Sequence, residues 1–300
     1  MRDVTLLKEA LPYLRRHRRR TMVIKLGGEI AAKPRALRSL ATEISLLAHV
    51  NIRIVVVHGG GPQATDLSRR LGLEPRLVQG RRITDAATLD VAKMVFGGSI
   101  NLDILTALKA QGLQAVGLSG VDGSILEARR RPVTVVADEA TGAEESVDFG
   151  HVGDVTGVDT ALLSLLVEHG YVPVVASLAS DAEGNLLNVN ADTVAAAVAR
   201  GLSAAKLISM TAVPGVLEDR DDPSSVISRL TVAQAREALA SGRIAGGMVP
   251  KVRTIIQAVE GGVEAGHILS GLDENALLLE LFTNSGVGTL IEAGEREAGA

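Results

Sequence analysis

The feature that most constrains this chain is a pattern that occurs twice: a short β-rich apolar run, a glycine turn, then helical periodicity. Thr21-Met22-Val23-Ile24-Lys25-Leu26 ends at Gly27-Gly28 and is followed by a helical pattern over 35–48. Ile52-Arg53-Ile54-Val55-Val56-Val57 repeats the theme and ends in His58-Gly59-Gly60-Gly61-Pro62 before a second helix. Near-continuous apolar strands separated by helices belong in a parallel sheet covered on both faces, so the pattern predicts an α/β fold. The alternation continues with a strand over 115–118, hairpins through Ser146-Val147 and a helix over 159–169. Buried strands over 171–177 and 206–210 flank an Ala-rich helix over 192–200, and helices over 232–240 and 249–261 follow.

An amphipathic helix over 4–14 precedes all of this, with Leu6, Leu7, Ala10, Leu11 and Leu14 at helical spacing. The cluster Arg15-Arg16-His17-Arg18-Arg19-Arg20 sits at its end, where cations complement the helix dipole. With a net charge of −4 and 2% aromatic residues, the chain shows neither a basic footprint nor a stacking platform for nucleic acid. Its 46% hydrophobic residues suffice for a large core. No apolar run is uninterrupted over the roughly 18–20 residues of a membrane helix. The absence of Cys excludes disulfides, thiolate metal sites and cysteine nucleophiles, and suits a reducing cytoplasm. The expectation is a soluble, cytoplasmic protein without a membrane or nucleic-acid partner. Composition barely shifts near Ser203, where a lobe boundary is placed.

The carboxyl ends of parallel strands are where ligands sit, and glycines there let backbone N–H groups approach an anion. Neither glycine turn has the P-loop or the dinucleotide-binding form, so a tight turn alone is the competing reading. Lysine placement sharpens the case, because only seven lysines stand among many arginines. Lys25 interrupts an apolar strand two residues before Gly27, where a buried ammonium needs a partner. Lys251 follows Gly246-Gly247-Met248-Val249-Pro250 at a helix start, where its charge opposes the dipole unless an anion is bound. The bland alternative for both is a snorkelling surface lysine. In Asn188-Val189-Asn190-Ala191-Asp192, Asp192 is expected to cap the following helix, and the two alternating amides suit a polar substrate. His58 is expected to hydrogen-bond its own turn and not to act as an acid or base.

These segments in this order resemble the acetylglutamate kinases of the amino acid kinase family. The resemblance rests on Lys25-Leu26-Gly27-Gly28, His58-Gly59-Gly60-Gly61-Pro62, Gly80-Arg81-Arg82-Ile83-Thr84-Asp85, Asn188-Val189-Asn190-Ala191-Asp192, Gly246-Gly247-Met248-Val249-Pro250-Lys251, and Phe282-Thr283 through Gly288-Thr289. It implies a three-layer αβα sandwich around a mainly parallel sheet, with an extra N-terminal helix. It also implies ATP-dependent phosphorylation, with Mg2+, of the γ-carboxylate of N-acetyl-L-glutamate in arginine biosynthesis. By the family pattern Lys25 and Lys251 flank the phosphoryl group and Asp192 organises them. Gly27, Gly28 and Gly60 bind phosphate, and Gly59, Gly60, Arg82, Asn188 and Asn190 bind the substrate. The implied division is an oligomerisation helix (1–18), an acetylglutamate-binding and dimerisation lobe (19–203) and a nucleotide lobe carrying the arginine site (204–300).

The N-terminal helix resembles that of the arginine-inhibited, hexameric branch. Tyr13, His267, Glu280 and Gly286 fall where that branch builds its L-arginine site, and a carboxylate is a suitable partner for a guanidinium. The competing reading makes His267 and Glu280 ordinary surface residues. The implied partners are copies of the chain, as dimer or hexamer, with arginine as effector and room for a nitrogen-signalling protein. Two departures stand out: Ala212 where such kinases usually carry an Asp, and Leu102 where Lys commonly follows Asn. Leu26-Gly27-Gly28-Glu29 and Leu102-Asp103-Ile104 also resemble the kinase-like domain of bacterial N-acetylglutamate synthases. An arginine-sensing subunit without catalysis is therefore one alternative; Lys25, Asp192 and Lys251 speak against it, and the chain is expected to have no room for an acetyltransferase domain. A kinase for a carrier-linked amino acid is another.

Overall fold

Residues 2–78, 81–137, 144–283 and 286–294 are described by a computed structural model, with 2–9 and 137 as backbone only. The chain runs α1 (Arg2–His17), β1 (Thr21–Leu26), the single turn α2 (Gly28–Ala31), α3 (Pro34–His49), β2 (Arg53–His58) and α4 (Gly61–Arg70). After the ribbon β3 (Leu77–Val78) and β4 (Arg81–Arg82) comes one helical run: α5 (Ala86–Ala92), a π-helical segment (Lys93–Ile100) and α6 (Asn101–Ala110). Then follow β5 (Ala115–Ser119), β6 (Leu126–Arg130), β7 (Thr134–Ala137), β8 (Glu144–Val147), β9 (Val152–Val158), α7 (Ala161–Glu168) and β10 (Val172–Ala176). The remainder is β11 (Leu178–Ser180), β12 (Leu186–Val189), α8 (Ala191–Gly201), β13 (Lys206–Thr211), β14 (Arg229–Thr231), α9 (Val232–Ala240), α10 (Met248–Glu260), β15 (Ala265–Ser270), α11 (Ala276–Phe282) and β16 (Thr289–Glu292).

Eight strands form one sheet in the order β14-β16-β15-β13-β1-β2-β10-β5. Every neighbouring pair is parallel except β15 with β16. Side chains alternate across a strand, so a strand covered on both sides is apolar along most of its length, as β1 and β2 are apart from Lys25 and the strand ends. Val23, Val55, Val57 and Leu207 point to one face and pack with Val194 and Val198 of α8 and Val252 and Ile255 of α10. Met22, Ile24, Ile54 and Ile208 point to the other and pack with Leu40 and Ile44 of α3, Ile104 of α6 and Leu277 of α11. The expected αβα sandwich is the result. A smaller sheet of β6, β9, β11 and β12 and the β7–β8 hairpin occupy the hairpin region between β5 and α7 and its return strands.

The helical run Ala86–Ala110 has the length and apolar composition to cross a membrane, and half of it is buried inside the molecule. Val95, Phe96, Ile100, Ile104 and Leu108 bury into the core, whereas Met94 and Leu102 are exposed. The N-terminal helix lies against α11 and ends with Arg15, Arg16 and His17 in its last turn, as the dipole argument anticipates.

Candidate active site

The carboxyl ends of β1 and β13 and the first turns of α8 and α10 meet at a small cleft lined by Lys25, Asp192, Ala195, Leu207, Ser209, Lys251, Thr254 and Ile255. Lys25, only 7% exposed, has the partner its burial demands, since its Nζ lies 3.0 Å from Asp192 Oδ1. Removing one member of such a pair leaves an unpaired buried charge, which is far more unfavourable than losing a surface ion pair. Lys251 stands one turn into α10 and is held only loosely, by Nζ donating to Gly247 O at 3.4 Å. The cleft thus brings together both lysines and the carboxylate, but only Lys25 makes a direct ion pair with Asp192 among the described residues.

The expected helix cap is displaced by two residues. Asn190, not Asp192, caps α8, its Oδ1 accepting from the N–H of Asp192 at 2.8 Å and of Thr193 at 3.1 Å. An amide oxygen satisfies those donors as well as a carboxylate does, and the substitution frees Asp192 for Lys25. Asn188 Nδ2 donates to Thr84 Oγ1 at 3.2 Å.

The two glycine turns pack against each other. A Cβ on Gly28 would lie 2.9 Å from Pro62 Cδ and 3.3 Å from Gly60 Cα, and Gln63 Nε2 donates to Gly28 O at 2.7 Å. A Cβ on Gly60 would strike Phe96 and Ile100, so helix packing by itself demands glycine there. Gly59 is less crowded, since a Cβ there would lie 3.2 Å from Ala191 Cβ. Gly28 opens α2 and Gly60 caps α4, positions whose N–H groups have no acceptor inside the helix. Gly27 departs from the expected phosphate cradle: its N–H donates to Met210 O at 3.1 Å, prolonging the pairing of β1 with β13. Glu29 also folds its carboxylate over Gly27.

Arg82 reaches the same rim. Its Nη2 donates to Gly61 O at 3.0 Å and to Thr65 Oγ1, while the buried Nη1 has no partner among the described residues. Burial depresses its pKa. A guanidinium with one edge anchored and one donor unmade is suited to a carboxylate. Gly80, from the same motif, lies outside the described residues.

His58 beneath the second turn is fully buried, and its Nδ1 meets Gly59 O at 3.0 Å. Asn101 Nδ2 sits 3.1 Å from Nε2 and also donates to Val174 O at 3.0 Å. Because the amide NH2 can only donate, Nε2 accepts and Nδ1 carries the proton. Burial pushes the imidazole pKa down to about 4. His58 is therefore a neutral strut, and Asn101 is its anchor, a role that sequence reading missed.

On the opposite face of the sheet the residues expected to bind arginine form a second polar cluster. His267 is 3% exposed; its Nδ1 lies 2.7 Å from Glu280 Oε1 and its Nε2 lies 2.6 Å from Lys206 Nζ. Glu280 Oε2 accepts from the N–H groups of Val287 at 2.8 Å and Gly288 at 2.9 Å. Gly286 adopts φ +57°, and a Cβ there would come within 2.8 Å of Glu280 Oε2. Burial alone raises the Glu280 pKa, but the bonds from His267 and the two backbone donors win and hold it down to about 2. Burial lowers Lys206 to about 8. The reading of His267 and Glu280 as surface residues is thus overturned. Tyr13 lies on α1, half-buried, and His17 at the end of that helix is buried with its pKa lowered to about 4, chiefly by burial and then by Lys206.

A mainly parallel sheet with helices on both faces, glycine turns at its strand ends and two lysines near one carboxylate define an α/β protein whose candidate site lies at the carboxyl ends of its strands. The family model described as "Amino acid kinase family" matches residues 20–270, and the chain belongs to that family. It is 43% identical over 291 residues to the acetylglutamate kinase of Methanothermobacter thermautotrophicus, covering 97% of this chain and 99% of that one. It is 46% identical over 285 residues to the acetylglutamate kinase of Symbiobacterium thermophilum, covering 95% and 96%. Among solved structures, the N-acetylglutamate synthase of Neisseria gonorrhoeae with coenzyme A and N-acetyl-glutamate superposes with a TM-score of 0.82 at 28% identity. That match covers 99% of this chain and 66% of the synthase. A complex of the same synthase with coenzyme A and L-arginine gives a TM-score of 0.80 at 26% identity, covering 96% and 65%.

Proposed function

We propose that this protein transfers the γ-phosphoryl group of ATP to the γ-carboxylate of N-acetyl-L-glutamate, giving N-acetyl-L-glutamyl 5-phosphate in arginine biosynthesis. The observation that carries the reading is the cleft in which Lys25, Asp192 and Lys251 meet beside the paired glycine turns. The similarity to acetylglutamate kinases along nearly the whole chain supports the choice of substrate.

The chemistry suits these residues. A carboxylate oxygen attacks the γ-phosphorus while the bond to the ADP oxygen breaks, and no proton has to move. Catalysis therefore reduces to alignment and to neutralising charge on the phosphoryl oxygens. In this reading Lys25 and Lys251 supply that neutralisation, Asp192 fixes Lys25, and the N–H groups of Gly28 and Gly60 hold phosphate oxygens. Arg82 takes the α-carboxylate with its open edge, and Asn188 and Asn190 take the acetamido group beside Gly59. No cluster of three or more acidic or histidine side chains fit to hold a metal occurs among the described residues. Mg2+ bound with the ATP phosphates would offset phosphate charge.

We further propose that L-arginine inhibits through the cluster around Tyr13, His267, Glu280 and Gly286, and that the chain forms dimers and, through α1, hexamers in the cytoplasm. Met94 and Leu102 are exposed apolar side chains on the helical run that a second copy would cover. A guanidinium reaching Glu280 would enter beside three donors already in place.

ADP release measured with MgATP and N-acetyl-L-glutamate, with L-glutamate in its place, and with L-arginine added tests the reading. Turnover is expected only with the acetylated substrate, falling as arginine rises. Arginine binding without any turnover would favour a sensing subunit, and persistent inhibition in Glu280→Ala would place the effector elsewhere.

A further inference from the structure

The cleft contains a hydroxyl that the mechanism above leaves idle. Ser209 is 4% exposed, and its Oγ has no hydrogen-bond partner among the described residues. A buried hydroxyl without a partner is unfavourable by about 1–3 kcal/mol, so alanine would be the better residue if packing were the only demand. The register fixes where the group points. Ser209 pairs with Lys25 across the parallel β13–β1 ladder, so both side chains leave the same face of the sheet, and both line the cleft with Asp192 and Lys251. The other hydroxyl there, on Thr254, is already taken by Pro250 O.

The neighbours have capacity to spare. Asp192 meets Lys25 through Oδ1, and a carboxylate can accept about four hydrogen bonds. Lys251 has three N–H donors, and its recorded bond to Gly247 O is long, at 3.4 Å. A serine can accept from an ammonium and donate to a carboxylate at once. The opposite face of the sheet has this arrangement already, where His267 accepts from Lys206 at 2.6 Å and donates to Glu280 at 2.7 Å.

We propose that Ser209 is a positioning residue that links Lys251 to Asp192 once the Lys251 side chain swings off Gly247 O, its Oγ then accepting from the Lys251 ammonium and its O–H donating to the Asp192 carboxylate. The link rests on reading Lys25, Asp192 and Lys251 as the catalytic trio. It brings both lysines under one carboxylate, although only Lys25 touches Asp192 directly. Lys251 then enters the reaction with its charge aimed and fewer rotamers to lose.

Steady-state kinetics and melting temperatures of Ser209→Ala, Ser209→Thr, Lys251→Met and the Ser209→Ala/Lys251→Met double variant decide the matter. Ser209→Ala is expected to lower kcat by about three- to tenfold, the worth of one such bond. KM for N-acetyl-L-glutamate should stay within about twofold, and Ser209→Thr should recover most of the rate because it restores the hydroxyl. The double variant should be no slower than Lys251→Met, because the serine acts through the lysine. Unchanged kcat with a raised melting temperature would make Ser209 a mere packing burden and overturn the link. So would losses that multiply in the double variant, or a higher KM for ATP at constant kcat. If Lys251→Met itself turns over normally, the catalytic reading of the cleft fails first, and the link fails with it.

Discussion

The two faces of strand β13 carry polar clusters of the same kinds of groups in opposite states of completion. Around Lys206, His267 and Glu280 each polar atom of the imidazole and carboxylate has a partner, and the neutral imidazole bridges a cation to an anion. Around Lys25, Asp192 and Lys251 one ion pair is made, while Ser209 Oγ in the cleft and Arg82 Nη1 on the adjoining rim are buried without partners. A buried polar group left unpaired is unfavourable, and a site that a ligand completes is one place where a folded chain retains it. The His267–Glu280 pair is saturated, although His17 Nδ1 near it is also buried without a partner among the described residues, whereas the Lys25 cleft keeps open valences; under the proposed function the saturated pair holds structure and the cleft receives substrate.

That contrast can be broken by mutation. The largest effect is expected for Lys25→Met, which removes an ammonium from the transferring group and leaves Asp192 unpaired in a buried site. Turnover should fall by about 100- to 1,000-fold. Retained turnover would show that the Lys25–Asp192 pair is structural. Lys251→Ala follows, with kcat reduced roughly tenfold or more while N-acetyl-L-glutamate binding by calorimetry stays nearly intact. Arg82→Met should instead act on KM for N-acetyl-L-glutamate, raising it about tenfold or more through the lost charge-assisted bond. An effect confined to kcat would remove Arg82 from the α-carboxylate.

The smallest effect at neutral pH concerns stability. His58 takes up its proton near pH 4 when folded and near 6.5 when unfolded, so the unfolded chain binds the extra proton between those values. The stability is fully present above pH 6.5 and is lost as pH falls toward 4, by on the order of 3 kcal/mol. Denaturant unfolding from pH 7 to 4 should show this slope, and His58→Gln should reduce it while His17, depressed to about 4 as well, keeps its own share. An unaltered slope would assign acid sensitivity to His17 or to the carboxylates.

Much of this was legible in the sequence because apolar strands and glycine turns are local signals. The bounds expected for β1 and α9 coincide with those observed, and the lysines were conspicuous because they interrupt patterns. What was missed depends on contacts far apart in the chain. Asn101 looks like any helical residue until His58 stands beside it, and Ser209 looks like a polar lapse in a buried strand until Lys25 is its neighbour. Lys206 begins an apolar strand as Lys25 nearly ends one, but its partners lie 61 and more residues away. The cap of α8 went to Asn190 because two residues with equal capping ability stand two apart, and only the demand of Lys25 for Asp192 separates them.

The central claim is that this cleft joins phosphate to a carboxylate, and an acyl phosphate can be trapped by hydroxylamine as a hydroxamate. With MgATP, N-acetyl-L-glutamate and hydroxylamine, the protein should form hydroxamate in step with ADP, and none when the γ-carboxylate is blocked as its amide. ADP release without hydroxamate, or hydroxamate formation that survives Lys25→Met unchanged, would contradict the account.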